Sequence, residues 1–475
     1  MEMQDNQTQE METTIQGDVK PTQTNVPDLV KIGSIPSNLQ IDYDTTVYEP
    51  VTKSQSFLRF QIDNKGILHS NSKLTISMES GIAERSFFPL GIGVNSLIER
   101  ATLKCGGKTL SEIDDWNHFM AYRSMFVAGE NNKERESITT SRLMNYEAVY
   151  NTSKSASTTE MPNTKAKAIG LSTGMYVNAS NANDNVALPN YLLAANTPVF
   201  QINLADLFPF LKMNQIPLYM LRDPLFVELT LVGANSKNRL SLTSGATADV
   251  TYNVDLNNVH MLIDHIYYPP AQMEAFAAAN PQITLSYHDY TLSKQSLTVA
   301  QAKNNIRNIG GAGRIVTKVI HGISNNTDDG ETQVLNNFQA EYPNVGTKSV
   351  ELNLRYNNEF LYPIDVKNTA RLYNLVTLAE GMTPFVSRDS YNDEGDATTS
   401  EHLEGFGQTT QIGGALFYQA HRLNKGERVS GTGIELYTKY LDLSGSNYTQ
   451  RTYVEYLKIA TITNGILDVY NAWLL

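Results

Sequence analysis

The chain of 475 residues carries a net charge of −12 and a single cysteine, Cys105. The charge argues against a protein that coats nucleic acid over a broad surface, because such binding depends on clustered Lys and Arg, and one cysteine excludes an intrachain disulfide framework. The 25 tyrosines, with short runs rich in Thr, Val and Ile, favour strands over helices. With 41% hydrophobic residues the chain can build two cores, and no apolar run reaches the roughly 18 residues that would cross a bilayer.

The N-terminal segment, residues 1–37, is polar, acidic and nearly free of aromatic side chains. A segment so poor in large apolar groups cannot offset its ordering entropy, so we predict a flexible N-terminal arm. It has neither the basic region nor the apolar region of a signal peptide. We therefore expect synthesis and folding in a cytosol-like compartment.

The first predicted domain, 38–268, consists of short alternating runs separated by turn residues, a pattern typical of an antiparallel sandwich or barrel. A helix is predicted from Asp114 to about Val127. The polar stretch 128–196 that follows is too long for an ordinary connection, and we predict a projecting loop. The predicted strands are SFLRFQI, KLTISM, IERATLKC, KTLSEI, VFQINL, PLFVELTLVG and VHMLIDHIYY, with a short helical LADLFPFLK between the fifth and the sixth.

The end of this domain is marked by Tyr267-Tyr268-Pro269-Pro270, because proline cannot donate to a strand ladder and constrains the residue before it. Residues 269–281 predict a short helical linker, and 282–475 a second domain with a polar loop at about 380–411. Its predicted strands are ITLSYHDY, RIVTKVIHGI, ALFYQAHR, GIELYTKYLDL, RTYVEYLKIATI and GILDVYNAWLL.

An internal repeat links the two predicted domains. Residues 101–125 align without a gap with 352–376. Each copy contains an alternating strand, a two-residue turn and a second strand, followed by Ile-Asp and a helix. The turn pairs, Gly106-Gly107 and Asn357-Asn358, tolerate the positive φ of a type I′ hairpin.

In both copies the Asp of Ile-Asp, Asp114 or Asp365, is predicted to cap the helix. A second match supports the first, since VYEPVTKSQSF, ending at Phe57, resembles SYHDYTLSKQSL, ending at Leu297. Repeats of this length indicate tandem domains rather than a solenoid. The sequence thus predicts one fold built twice.

Two glycine-rich segments superficially suggest nucleotide binding. CGGKTL, from Cys105 to Leu110, ends like a phosphate-binding loop but lacks the leading glycine and lies between two predicted strands. GGAGR, from Gly310 to Arg314, precedes a strand and not the helix that a dinucleotide site requires. We interpret both as turns.

The sequence offers equally little evidence for a metal site. The eight histidines are not paired four residues apart on a helix, and His260 and His265 fall on opposite faces of one predicted strand. The segment from Asn325 resembles a calcium loop around Asp329-Gly330, but its twelfth residue, Asn336, is not Glu. A solvated loop explains Asp393, Glu394 and Asp396 better than a cation site does. There is no nucleophile elbow. The sequence therefore predicts no catalytic, cofactor-binding or metal-binding residue.

Two tandem β-sandwich domains, each with a hairpin, a flanking helix and one long loop, resemble the double jelly-roll major capsid proteins of icosahedral double-stranded DNA viruses. The stretch FQINLADLFPFLKMNQIPLYMLRDPLFVELTL looks most like the capsid proteins of polinton-like viruses and virophages. There an aromatic-rich segment leads through Ile216-Pro217-Leu218 into a core strand, Leu225 to Leu231. The chain lacks the apolar, glycine-rich opening of the large algal-virus capsid proteins.

The resemblance implies an all-β fold of two tandem eight-stranded jelly-roll domains with short flanking helices. It implies a structural role, as a homotrimer that occupies a hexagonal position in an icosahedral shell, with neighbouring capsomers and penton and minor capsid proteins as partners. No direct sequence-specific nucleic-acid binding and no cofactor are expected, and contact with an internal membrane stays open. The location implied is the virion, after synthesis in the host cytoplasm or a viral factory.

The alternative from another class is a carbohydrate-binding or carbohydrate-active protein with two β-sandwich domains. Such a protein needs aromatic platforms and, for catalysis, a pair of carboxylates in a cleft. The two tryptophans, Trp116 and Trp473, fall in a predicted helix and at the C-terminus, where neither is suited to such a platform.

Overall fold

The fold is dominated by antiparallel strands, with short helices between or beside the sheets. Alternating runs form the strands because one face of each is buried: Leu225–Leu231, LFVELTL, buries every second side chain. The structure is a computed structural model that describes residues 41–80, 86–87, 93–124, 126, 135, 139–140, 199–232, 241–242, 252–325, 350–367, 369–381, 418–423, 428–440 and 447–472.

The first half of the chain contributes three sheets. Its strands are β1 Asp42–Tyr48, β2 Thr52–Lys53, β3 Phe57–Ile62, β4 Ile67–Leu68, β5 Lys73–Ser80, β6 Ser86–Phe87, β7 Ile98–Cys105, β8 Lys108–Asp114, β9 Val199–Asn203, β10 Leu225–Leu231, β11 Ser241–Leu242, β12 Tyr252–Val254 and β13 His260–Tyr267. Its helices are α1 Trp116–Ser124, α2 Leu204–Leu207 and α3 Pro209–Met213, with 3-10 turns at Gly93–Leu97 and Leu218–Met220.

Helix α4, Pro270–Ala279, connects the halves, where the sequence predicts a helical linker. The second half contributes two sheets. Its strands are β14 Gln282–Thr298, β15 Asn305–Gly310, β16 Val316–Asn325, β17 Val350–Tyr356, β18 Glu359–Phe360, β19 Gln419–Arg422, β20 Ile434–Tyr440, β21 Asn447–Thr463 and β22 Ile466–Asn471, with helices α5 Val299–Ala302 and α6 Thr369–Glu380.

Both halves have the same strand order. When the eight principal strands of each half are numbered 1 to 8 along the chain, one sheet reads 1-8-3-6 and the other 2-7-4-5. In the first half these strands are β1, β3, β5, β7, β8, β9, β10 and β13, and in the second half they are β14 to β21. Two antiparallel sheets connected in this way form a jelly roll. The predicted fold class is confirmed.

The internal repeat corresponds to equivalent strands. Residues 101–125 contain the fourth and fifth strands of the first sandwich and helix α1, and 352–376 contain the fourth and fifth strands of the second and the start of α6. Asn357 and Asn358 have φ of 50° and 66°, as predicted for their turn. At Gly106-Gly107 only Gly106 is left-handed, with φ 55°, so this turn does not have the predicted type I′ pattern.

The predicted helix caps are wrong. Asp114 is the last residue of β8, where its carboxylate pairs with Arg100, and α1 begins only at Trp116 and ends at Ser124. Asp365 lies four residues before α6 and accepts a 2.8 Å hydrogen bond from the Asn353 amide. Each carboxylate is held by a neighbouring strand and is therefore not available to the helix.

Further differences concern strands and loops. The sequence missed β15 and underestimated β14 and β21, which run for 17 residues each. Helix α6 ends at Glu380, where the second predicted loop starts. The predicted arm, 1–37, lies outside the described residues, as do nearly all of the loop 128–196 and the rest of the second loop.

Candidate functional site

The two glycine-rich segments are turns, as interpreted from the sequence. Gly106-Gly107 joins β7 to β8, and Gly310, Gly311 and Gly313, with φ of 92°, 81° and 72°, form the turn between β15 and β16. Neither turn leads into a helix N-terminus. Neither therefore offers the converging backbone N–H groups that bind phosphate.

Within the described ranges, no group of three or more His, Cys, Asp or Glu side chains is placed to hold a metal ion. His260 and His265 both lie on β13, and His265 is buried. The structure brings His321 and His421 close together on adjacent strands, which the sequence did not indicate. Outside the described residues lie Asp329-Gly330, Asn336, Asp393, Glu394, Asp396, His402 and Trp473.

Trp116 and Cys105 are both buried structural residues. The Trp116 indole is inaccessible to solvent and donates a 3.1 Å hydrogen bond to the Leu207 carbonyl, so it cannot serve as a platform for a sugar. Burial, with a contribution from Asp223, raises the pKa of the Cys105 thiol to about 11. A thiol with so high a pKa is a poor nucleophile.

Several buried polar and charged groups lie where the two sandwiches meet. Strands β14 and β21 pair over their whole length, and residues 282–288 and 457–463 continue beyond the pairing of β21 with β16. The two strands pack against β8 and helices α1 and α3 of the first sandwich. Both sandwiches therefore share one continuous apolar cluster.

Aromatic rings form the apolar part of this interface. The Phe119 ring on α1 lies with its centroid 4.5 Å from that of Tyr290 and 5.5 Å from that of Tyr453. Phe210 on α3 meets Tyr287 edge-on at 4.6 Å. Such pairs add about 0.5–1.5 kcal/mol each beyond the area they bury, and they exclude water from the polar groups beside them.

Asp115 joins three groups of the second sandwich. Its Oδ2 accepts a 2.8 Å hydrogen bond from Arg451 Nε and lies 2.7 Å from Lys294 Nζ. Its carbonyl accepts a 2.8 Å hydrogen bond from the Tyr453 hydroxyl. Burial alone would raise the pKa of Asp115, but the charges and hydrogen bonds of Arg451 and Lys294 outweigh it and the pKa is lowered.

Lys318 occupies a second buried ionic cluster. Its ammonium lies 3.0 Å from Glu455 Oε2 and also contacts Glu380, whose carboxylate accepts a hydrogen bond from Tyr122 on α1. Burial opposes the charge of both partners, yet their attraction raises the pKa of Lys318 and lowers that of Glu455. The cluster therefore stays ionised, and Tyr122 links it to the first sandwich.

A third contact fixes β8. Asp289 accepts a 2.9 Å hydrogen bond from the Ser111 hydroxyl, and Lys458 lies 2.7 Å from its other oxygen. The Tyr287 hydroxyl donates to the Leu110 carbonyl at 2.7 Å. The contacts of Ser111 and of the Leu110 carbonyl bind the edge of the first sandwich to β14, and Lys458 pairs with Asp289 within the second sandwich.

The chemistry of this interface is that of a rigid joint. Its buried charges are paired with opposite charges and hydrogen-bonded, which leaves no poised acid, base or nucleophile. One signal for this interface is visible in the sequence, since Arg451, Glu455 and Lys458 interrupt the apolar strand RTYVEYLKIATI. Their partners in the first sandwich have no comparable local signal.

No described helix is both long enough and apolar enough to cross a membrane.

Comparison with known proteins finds likeness in structure but not in sequence. No protein-family profile and no curated protein sequence matches the chain. The PBCV-1 protein VP54, in a crystal structure fitted into a reconstruction of the virophage Sputnik, matches with a TM-score of 0.54 and 8% identity over 93% of this chain and 99% of that one.

Two virophage structures match similarly. The mavirus major capsid protein has a TM-score of 0.53 and 12% identity over 95% of this chain and 93% of its own. A chain of the Sputnik virophage has a TM-score of 0.51 and 13% identity over 92% of this chain and 90% of its own. At such identities the likeness concerns the fold alone. It confirms at that level the resemblance inferred from the sequence: the chain has the double jelly-roll fold of the mavirus major capsid protein.

Proposed function

We propose that the chain is a major capsid protein, a structural and non-catalytic subunit that assembles with copies of itself into the icosahedral shell of a virion. The observation that carries this proposal is the pair of jelly rolls with identical strand order, held together by a buried joint. Its likeness to the mavirus protein extends over nearly all of both chains. No described residue favours the carbohydrate alternative, since the one described tryptophan, Trp116, is buried.

The joint itself suggests how copies would associate. It is heterologous, because the fifth strand of the first sandwich packs against the first strand of the second. Contacts of this kind leave one unmatched face at each end, and repetition through identical subunits closes a ring when the rotation permits. The unmatched faces should then be the fifth strand of the second sandwich and the first strand of the first.

The burial of these strands fits that expectation. On β8, Leu110 and Ile113 are buried, whereas Phe360 on the equivalent β18 is 53% exposed and Ile364 just beyond it is 67% exposed. Exposed large apolar side chains grouped on one edge are typical of an interaction surface. The face formed by Phe360 and Ile364 is here called the fifth-strand face.

The opposite face is equally open. Strand β1 is the edge of its sheet, paired only with β13, and it exposes Tyr43 by 56% and Val47 by 59%. An uncovered edge strand is prone to association. We infer that the fifth-strand face of one copy packs against β1 of the next, and that three copies close a ring of six sandwiches, the homotrimer.

The division of the chain belongs to this proposal. It comprises an arm at 1–37, a first jelly roll at 38–268, a linker at 269–281 and a second jelly roll at 282–475, with projecting loops at about 128–196 and 380–411. In support, no strand pairing in the described part of the chain crosses α4. Neighbouring capsomers and penton and minor capsid proteins would bind the outer edges of the trimer.

The test is the mass of the purified full-length protein by size-exclusion chromatography with light scattering. We expect a species of three times the chain mass of 52.8 kDa. A monomer at every concentration up to the solubility limit would contradict the proposal, because a shell subunit must associate with itself.

A further inference from the structure

The interior of the second sandwich is polar at one end. Val319 and Val454 lie in its apolar core, and His321 and Thr452 lie two residues further along the same strands, on the same inward faces. On the neighbouring strand, Gln419 pairs with His321 and His421 pairs with Val319. All of these side chains are buried.

The first sandwich shows that the fold does not require this polarity. Its sixth strand, β9, carries the buried residues Phe200 and Ile202, where β19 carries Gln419 and His421. Its third strand, β5, carries Leu74 and Ile76. At these equivalent positions, only the second sandwich carries polar side chains.

Part of this interior is satisfied by protein groups. His321 Nε2 lies 2.7 Å from the Tyr440 hydroxyl on the opposite sheet, and His321 Nδ1 lies 3.3 Å from Thr452 Oγ1. His421 Nδ1 lies 2.8 Å from the Tyr362 hydroxyl. These contacts fix both rings, and the last of them uses His421 Nδ1, so that His421 Nε2 is left for another partner.

Three atoms remain without a protein partner. Both side-chain atoms of the Gln419 amide and Nε2 of His421 make no hydrogen bond, although both residues have 0% exposure. A buried polar group that lacks a partner costs about 1–3 kcal/mol. Three such atoms on two side chains, two residues apart on one face of β19, therefore point to a bound species between them.

The hydrogen-bonding properties of the three atoms favour a small neutral molecule as the bound species. Gln419 presents a donor and an acceptor together, and His421 Nε2 is either, according to its tautomer. A cation would meet the amide N–H groups of Gln419, and Arg307 adds positive charge beside His321. An anion would meet the Gln419 carbonyl oxygen. Water accepts and donates in the required combination and bridges such groups in protein interiors.

We propose that the second sandwich holds a buried hydration site, in which ordered water bridges the Gln419 amide and His421 Nε2. The site lies at the end of the sandwich where the Tyr362 hydroxyl contacts His421 and the Tyr440 hydroxyl contacts His321. It contributes to the packing of β19, an edge strand of only four residues.

The direct test is a crystal structure of the full chain at a resolution that shows ordered solvent. We expect a peak at about 2.7–3.2 Å from a Gln419 amide atom and from His421 Nε2. An empty site, protein groups bonded to all three atoms, or anomalous scattering from a halide or a transition metal at this position would overturn the proposal.

The stability of Gln419→Leu gives a second test. If water satisfies the amide, the apolar side chain removes those bonds and the melting temperature falls by about 2 °C or more. If the amide is simply unsatisfied, the same change leaves the melting temperature equal or higher, which contradicts the site.

Thr75→Val is the matched control. Thr75 is buried in the first sandwich, and its hydroxyl also lacks a partner, but it presents a single group. Its melting temperature should equal or exceed that of the wild type. An equal fall of the melting temperature in both variants would count against the proposed water, because repacking of the core alone would then explain the lower stability.

Discussion

Arg451, in the last principal strand of the second sandwich, donates a 2.8 Å hydrogen bond to Asp115, the residue between β8 and α1 of the first. The two residues are 336 positions apart in the chain. Each is only about one-tenth exposed at the side chain. A buried ion pair of this kind fixes the orientation of the two sandwiches relative to each other, because burying either charge without the other is unfavourable.

Asp115→Asn should destabilise the protein by about 3 kcal/mol. The asparagine keeps the shape of the side chain and tolerates the positive φ of 44° at this position, but it removes the buried negative charge that pairs with Arg451 and Lys294. Urea unfolding at neutral pH measures the loss. The neighbouring substitution Asp114→Asn is the control, because Asp114 pairs with Arg100 at the surface and such pairs contribute at most about 1 kcal/mol. Equal losses would show that the buried pair has no special role.

Gly465→Ala should cost about 2 kcal/mol. Gly465 has φ 83° in the turn between β21 and β22, and a Cβ there would lie 2.7 Å from Arg222 Cγ and 3.1 Å from the Met220 carbonyl of the first sandwich. The change also disturbs the 2.9 Å hydrogen bond from the Arg222 N–H to the Gly465 carbonyl. Thermal unfolding should show the loss, with Gly107→Ala as the control, since a Cβ at Gly107 meets nothing within 4 Å. Identical melting temperatures for the two variants would argue against this contact between the sandwiches.

Acid should destabilise the second sandwich through its buried histidines. Burial lowers the pKa of His421 from 6.5 to about 3, and burial, His421 and Arg307 lower that of His321 to about 3. Between pH 6.5 and 3 the unfolded chain binds protons that the folded chain does not. The free energy of unfolding therefore falls as pH falls, by about 1.4 kcal/mol per pH unit for each ring, and the loss is complete near pH 3.

Urea unfolding of the wild type and of His421→Gln between pH 7 and pH 5 measures this contribution. As pH decreases, the free energy of unfolding of the wild type should fall more steeply than that of the variant. The difference in slope should correspond to the binding of one proton. Because both proteins contain the same carboxylates, their contribution to the pH dependence cancels in the difference between the two curves. Parallel curves would show that His421 titrates normally in the folded chain.

Phe360→Asp should weaken self-association at least about tenfold without unfolding the subunit. Phe360 is more than half exposed, so its replacement removes little core packing, but a charge on the fifth-strand face would be desolvated against a second copy. Sedimentation equilibrium gives the association constant, and circular dichroism checks the fold. The control Phe360→Tyr keeps the aromatic ring and should associate as the wild type does. Unchanged association of Phe360→Asp would place the interface elsewhere.

The half-buried strands were predicted well from the sequence, because apolar and polar residues alternate along a strand that has one buried face. The run IERATLKC is a strand from Ile98 to Cys105, as predicted, and Asn357-Asn358 forms the predicted turn. The repeat was detectable because the fourth and fifth strands and the following helix keep their spacing in both halves.

The extent of β14 was not predictable from its own residues. The predicted strand, ITLSYHDY, ended at Tyr290. In the structure Lys294 pairs with Asp115, and β21 supplies a ladder partner for every residue of β14. Partners so distant in sequence leave no local pattern, and this also explains why the joint between the sandwiches was missed.

The most direct test of the account is electron cryo-microscopy of the purified, associated protein. We expect a threefold particle with six sandwiches in a ring, in which Phe360 and Ile364 of each copy face β1 of the next. A particle built through other faces, or monomers without any ring, would contradict the assignment of this chain as a shell subunit that repeats its internal joint between copies.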